Sequence, residues 1–295
     1  MTVQPPPALS SAAAAALAAK YGLRRIGARP PLGAYTASLW RRRDFTWTLA
    51  TSDAYGKNQG SYLGQVWGVL KPLLQFGVFF VVFGLLMPAG TRAGIGDFLS
   101  YLVIGTFLFE FMASGLNNSG RAIAAKIKLV RALEFPRAVL PISVTCTELI
   151  MMWPATLVML AIVLVRGHYP TWRWLLLPCA IALIYLFVLG CGFFLARIVS
   201  ATPDLGNLVP IATQLLRFVA GVFFSIETLA ADFGWLGQAA ILEPFALYLR
   251  LARSTLMAEV HASGADWAMG VGYALVVLVS GYIYFWLAEA RYGRD

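Results

Sequence analysis

The chain has 295 residues, of which 59% are hydrophobic and 13% charged, with a mean hydropathy of +0.72. That balance leaves too little polar surface to cover a soluble domain, so a soluble globular enzyme is excluded and an integral membrane protein is expected. The formal net charge of +9 is carried by lysines and arginines between apolar stretches. No module of interleaved basic and aromatic residues accompanies it, so the charge reads as a topology and lipid-surface signal and gives no indication of nucleic acid.

Residues 1–38 read as a mobile tail, because "QPPPALSSAAAAALAAK" mixes proline, serine and alanine with no face to bury. Its alanine run, 12–19, is too short and too far from the first long apolar stretch to act as a cleavable signal peptide. The region 39–59 differs. "LWRRRDFTWTLATSD" sets Leu39, Phe45, Trp47 and Leu49 beside three arginines, as an amphipathic helix at a membrane interface would, the alternative being a soluble amphipathic turn.

Crossing about 30 Å of hydrocarbon takes roughly 20 helical residues. Six stretches approach that length: 63–87, 98–116, 138–165, 174–196, 205–226 and 267–287. They are continuous apolar runs without period-two alternation, which favours helices over barrel strands. The fold class expected is therefore an all-α integral membrane protein with six transmembrane helices, an N-terminal amphipathic interface helix and short re-entrant or surface helices before the last span. Lysines and arginines orient it: sixteen lie before span one, between spans two and three, between four and five, and after six, against five in the opposite loops. By the positive-inside rule both termini, including the end at 292–295, are cytoplasmic.

Gly60, Gly64 and Gly68 recur every four residues at the start of span one, a spacing that places small residues on one helical face for close helix packing, within the chain or between subunits. The loop 117–137 contains "NNSGRAIAAKIKLVRALEFP", a short helical stretch too charged to insert, suited to docking on a partner or serving as a plain connector. The segment 227–266 holds apolar pieces on either side of Glu243 and Pro244 that are too short to cross. They are expected to be re-entrant or to lie on the outer surface. Cys146, Cys179 and Cys191 fall inside spans as small apolar residues, His168 and His261 stand alone in outer loops, and neither set implies a disulfide or metal framework.

Four charges lie within the spans: Lys71, Glu110, Glu148 and Arg217. Such groups cost several kcal/mol at mid-bilayer unless they pair, snorkel or face water. Lys71 is near enough to the cytoplasmic headgroups to snorkel, and alternatively faces a polar path where it meets phosphate or sugar hydroxyls. Arg217 lies deeper and is expected either to pair with Glu110 or Glu148 or to line a polar path. Aromatic side chains crowd span one (Trp67, Phe76, Phe79, Phe80, Phe83) and span five (Phe218, Phe223, Phe224). They face lipid and neighbouring helices, or a pore wall on which sugars stack. No G-x-x-x-x-G-K-[ST] phosphate loop, D-x-D or Ser/His/Asp set is present, so any ATP-driven work must come from another polypeptide.

"LWRRRDFTWTLATSDAYGKNQGSYLGQVWGVLKPLL" resembles the opening of the membrane-spanning subunit of ABC-2 type polysaccharide exporters, the group that includes O-antigen, teichoic acid, galactan and capsule permeases. The matching positions are Arg43, Asp44, Asp53, Lys57, Ser61, Leu63, Gly64, Trp67, Leu70, Pro72 and Leu73, and "LEFPRAVLP" matches a Phe-Pro-Arg motif at Phe135, Pro136 and Arg137. Departures are Ser52, Asn58 and Ala138, where the family commonly has arginine, tyrosine and glutamate, and Lys71 and Glu243, where asparagine precedes proline.

The resemblance implies a transport domain over 60–291, two copies of which form a homodimer around a channel in the bacterial inner membrane. Each copy is docked to a cytoplasmic ABC ATPase that holds the ATP and magnesium, so this chain itself carries no cofactor and no catalytic residue. The cargo implied is a polyprenyl-pyrophosphate-linked polysaccharide moved outward. Under that reading Arg43, Asp44, Asp53 and Lys57, with Arg121, Lys126, Lys128, Arg131, Phe135, Pro136 and Arg137, couple to the ATPase. Lys71, Arg217 and the rings of spans one and five line the channel, and Glu243 and Pro244 belong to an outer gate. The alternatives are an ABC-2 permease for a drug or simple lipid, and a membrane enzyme acting on polyprenyl-linked glycans.

Overall fold

The computed structural model describes residues 20–21, 30–57, 60, 62–86, 95–226, 242–290 and 292, and these are helical, turn or irregular, without strand. The elements in order are α1 (Leu32–Arg41), α2 (Arg43–Gly56), α3 (Trp67–Phe79), α4 (Phe98–Gly120), α5 (Ala122–Ala125), α6 (Ile127–Ala132), α7 (Val139–Val165), α8 (Leu177–Ala201), α9 (Leu205–Val219), α10 (Pro244–Leu256) and α11 (Gly264–Leu287). Most of the predicted 1–38 tail lies outside the described residues. Its last part does not behave as a tail: α1 begins at Leu32 and buries Tyr35, seven residues before the expected boundary at Leu39.

Among the described residues four helices are long and apolar enough to cross a membrane: α4, α7, α8 with its 3-10 lead-in from Trp172, and α11. The other two predicted spans are shorter. α3 carries Pro72 in its second turn and continues from Phe80 to Leu86 as a π-helix, while α9 ends at Val219, so the expected helix over 205–226 is overturned beyond that residue. The reason is local: after Val219 the chain reverses at Ala220 and Gly221, and Gly221 adopts φ +64, a conformation that a side chain would strain. Hydropathy cannot see this turn, because the residues that follow are as apolar as those that precede it.

α4 is the axis of the bundle. It is buried along most of its length and packs against α3, α7, α8, α9 and α10. α8 crosses α11 where Gly190 meets the backbone of Val277 and Leu278; a Cβ at Gly190 would lie 2.6 Å from Leu278 N, and Gly281 faces the Gly190 carbonyl. Within one chain this bare crossing brings two helix backbones together. Gly60 and Gly64 precede the start of α3, where an added Cβ would meet nothing within 4 Å, Gly64 sits at φ +47, and at Gly68 a Cβ would lie 3.1 Å from the Met151 methyl. α10 is a short helix ahead of α11: Glu243 caps it, accepting from Ala246 N at 2.7 Å, Pro244 opens its first turn, and its side chains from Phe245 to Tyr248 are buried.

Candidate functional site

The four charges expected within spans meet in a ladder between α3, α4, α7 and α9. Arg217, with its side chain 4% exposed, donates to Glu110 Oε2 at 2.9 Å, so the predicted pair forms and its partner is Glu110. Gln75 completes the group, its amide donating to Glu110 at 3.1 Å and accepting from Arg217 Nη2 at 3.2 Å. Lys71 reaches Glu110 Oε1 at 3.5 Å from a side chain that is 70% exposed. One step toward the basic end, Glu148 accepts from Lys57 Nζ at 2.6 Å and Asn118 Nδ2 at 2.7 Å. Lys126 pairs with Asp53 beyond that.

The ladder continues as a polar seam between α4 and α9. Asn117 donates to Thr213 at 3.3 Å, and Arg121 donates to Gly206 O at 3.0 Å and to Asn207 at 3.2 Å. Glu110 and Asn117 lie seven residues apart on α4, close to two helical turns, so they share one face, and Arg121 follows directly at the helix's C-terminal cap. Arg121, expected to couple to an ATPase, is exposed and donates to the start of α9.

The Phe-Pro-Arg motif is likewise turned inward. Phe135 is buried with its ring edge-on to Phe45 at 5.6 Å. Arg137 gives its backbone N–H to Glu289 Oε1 at 2.9 Å and Nη1 to Glu289 O at 3.1 Å. Tyr35 donates to the other oxygen of Glu289 at 2.7 Å and accepts from Ala138 N at 3.1 Å. Burial pushes the Glu289 carboxyl above the usual range against the opposing pull of Arg137 and Tyr35, and burial next to Glu289 raises the Tyr35 hydroxyl as well. Sequence reasoning missed this knot. Its one signal is Glu289 itself, an acid directly after an apolar span. Of the predicted coupling residues, Arg43 and Asp44 on α2 and Lys128 and Arg131 on α6 are exposed, while Pro136 is half-buried.

The predicted channel rings do not form an open wall within one chain. Phe223 is buried at the centre of a cluster, stacked on Phe83 at 4.5 Å and contacted by Phe79 at 4.6 Å and Phe218 at 5.1 Å, while Phe76 stacks on Phe80 at 6.1 Å. Phe224 follows on the same turn, half-buried, and Trp67 is exposed at the other end of α3. The turn that presents Phe223 is pinned by Tyr101, which donates to Gly221 O at 3.2 Å and Phe224 O at 3.1 Å, and by buried Arg253, which donates to Gly221 O at 3.1 Å and lies 3.4 Å from the Tyr101 ring centre. Gly105 makes room for that guanidinium, since any Cβ there would collide with Arg253.

Asp97, just ahead of α4, accepts from Arg166 at 3.0 Å and lies 3.2 Å from His168 Nε2, tying two loops at the far end of the bundle. Burial raises its carboxyl, yet Arg166, Ser100 and His168 together bring it below the usual range.

Residues 46–257 match the family described as ABC-2 type transporter, a span that runs from within α2 to the end of α10. The chain is similar to the O-antigen export system permease protein RfbA of Myxococcus xanthus, 26% identical over 65% of this chain and 72% of the relative. It is also similar to an O-antigen export system permease protein RfbA of Klebsiella pneumoniae, 23% identical over 65% of this chain and 73% of that one.

Proposed function

The chain belongs to the ABC-2 type transporter family, and from that premise we propose that it is the permease subunit of an ATP-driven exporter that moves a polyprenyl-pyrophosphate-linked polysaccharide out of the cytoplasm for cell-envelope assembly. The observation that carries the reading is the match from α2 through α10 together with relatives whose names specify O-antigen export.

In this reading α3 with its π-helical end and α9 join the four long helices as six spans. The lysine and arginine excess supports a topology with both termini and the α5–α6 loop on the cytoplasmic face of the inner membrane. Two copies pair around a channel that the aromatic cluster at Phe223 and the ladder at Glu110 border, and two ABC ATPase subunits dock from below. ATP and magnesium belong to those subunits. The exposed Lys128 and Arg131 on α6, with Arg43 and Asp44 on α2, supply the contact surface, and the knot at Glu289 passes ATPase movement to α7 and α11. α10, entered at Glu243 and Pro244, belongs to the outer gate.

The test is to purify the chain from its native membrane and identify what remains bound. Recovery of a soluble protein with a phosphate loop, together with loss of lipid-linked glycan at the cell surface on deletion of this chain, supports the proposal. Recovery without any ATPase overturns it, and an ATPase complex carrying a simple lipid moves the cargo to the other branch of the family.

A further inference from the structure

Glu110 holds two cations although one would neutralise it. Arg217 reaches it from α9 at 2.9 Å, deep in the bundle, and Lys71 stands 3.5 Å away on α3 with its side chain 70% exposed. The two cations come from different helices, and Gln75, also on α3, bonds to both Glu110 and Arg217. α4, which carries the acid, is enclosed by its neighbours. A movement that breaks the stronger pair is therefore a movement of α9, and it leaves Lys71 beside the carboxylate.

The ends, faces and seam of α9 suit that movement. The helix is a rod between two breaks, with extended Thr202 and Pro203 before it and the turn at Ala220 and Gly221 after it. Leu208, Ile211, Leu215, Phe218 and Val219 are exposed, while Arg217, Thr213 and Gly206 bond to α4 and its cap. The seam is not fully satisfied when shut. Among the described residues, Asn117 Oδ1, Arg217 Nε and, one turn beyond Glu110 on α4, Thr106 Oγ1 are buried without a hydrogen-bond partner. Each such group carries a cost that water removes when the helices part. Parting thus hydrates three atoms and gives up one ion pair. The largest cost left is a bare Glu110 inside the bundle, and a cation already at its side removes that cost.

We propose that α9 is a strap that swings off α4, and that Glu110 then passes from Arg217 to Lys71, which serves as its standby counter-ion. The exchange keeps the acid paired in both positions of the strap, so neither position is heavily disfavoured. It uses contacts within one chain only, and it stands or falls separately from the exporter reading.

The experiment uses the full chain in lipid nanodiscs, with Cys146, Cys179 and Cys191 replaced by alanine and Thr213→Cys placed in the seam. Thr213 is buried while the strap is shut, so the rate at which a charged, water-soluble methanethiosulfonate reagent modifies the new thiol reports the open population. Loss of the standby contact in Lys71→Gln slows modification about tenfold, while Lys71→Arg keeps the rate. Glu110→Gln acts in the opposite direction and speeds it, because Arg217 no longer has an acid to hold it in the seam. Lys71 is exposed, so the two lysine variants keep the fold and decide the matter even where Glu110→Gln does not fold. A rate that is the same with lysine, glutamine or arginine at position 71 overturns the proposal, as does a thiol that stays unmodified in every background.

Discussion

Glu110 stands between two cations and draws on both unequally. Its bond to Arg217 is short and buried, whereas Lys71 touches it from an exposed position. Removing one member of a buried pair strands the other, at a cost of about 3–5 kcal/mol, whereas replacing both with apolar groups of similar volume is close to neutral. Arg217→Leu is therefore expected to lower the melting temperature of the detergent-purified chain sharply, and Glu110→Leu/Arg217→Leu to regain most of it. Simple addition of the two single losses would sink this account of the pair. Glu289 gives a prediction in pH. Its folded carboxyl is raised above the ordinary 4.5, so the folded state binds a proton more readily than the unfolded state does. Stability from this group is then present at low pH and declines as pH rises from that ordinary value through the folded one. Melting curves taken across mildly acidic to neutral pH should show the decline in the wild type and a flatter profile in Glu289→Gln; identical profiles would remove Glu289 as its source.

At the scale of elements, two contacts set the geometry. The α8–α11 crossing admits no side chain at Gly190, so Gly190→Ala is expected to cost about 1–3 kcal/mol through overpacking. Gly60→Ala, with nothing within 4 Å, should be near neutral, and equal losses in thermal melts of the two variants would contradict the packing described. The second contact is the reversal after α9. Arg253 holds Gly221 O and Val222 O, and Arg253→Met leaves these carbonyls short of donors. Hydrogen exchange at the amides of 220–226 should then quicken while α4 and α8 stay protected. Unchanged exchange there would mean that the turn holds itself. The polar seam between α4 and α9 belongs to this scale as well, since Asn117 and Arg121 fasten α9 to the bundle along a single face.

At the scale of the whole molecule, the proposed function assigns to the basic end the surface through which an ATPase would drive the bundle. Arg121, Phe135 and Arg137 make contacts within the chain, while Lys128 and Arg131 on α6 present exposed side chains on that loop. Lys128→Glu/Arg131→Glu is expected to abolish capture of the ATPase from native membranes without altering melting of the permease, because both side chains are exposed. Retained capture would move the docking surface to α2, where Arg43 and Asp44 are open to solvent.

The membrane class and the long helices were legible because hydropathy over about 20 residues is a local property that the bilayer enforces on each segment separately. The pairing of Arg217 with a span-borne glutamate was half legible: an arginine at mid-membrane demands an acid, but sequence offers Glu110 and Glu148 equally. What only the tertiary structure decided are contacts whose partners lie far apart in the chain or whose backbone departs from a helix. Tyr35 and Glu289 are 254 residues apart, and neither has a neighbour in sequence that announces the other. The end of α9 at Val219 depends on a single glycine's positive φ within an unbroken apolar run. The glycine spacing at 60, 64 and 68 suggested a helix face, but the helix starts only at Trp67, so the close backbone contact falls to Gly190 and Gly281 instead. Sequence alone fixes how much of the chain the membrane can hold. Which buried charge meets which, and which bare backbone touches which, are decided by packing, because each is a property of two segments at once.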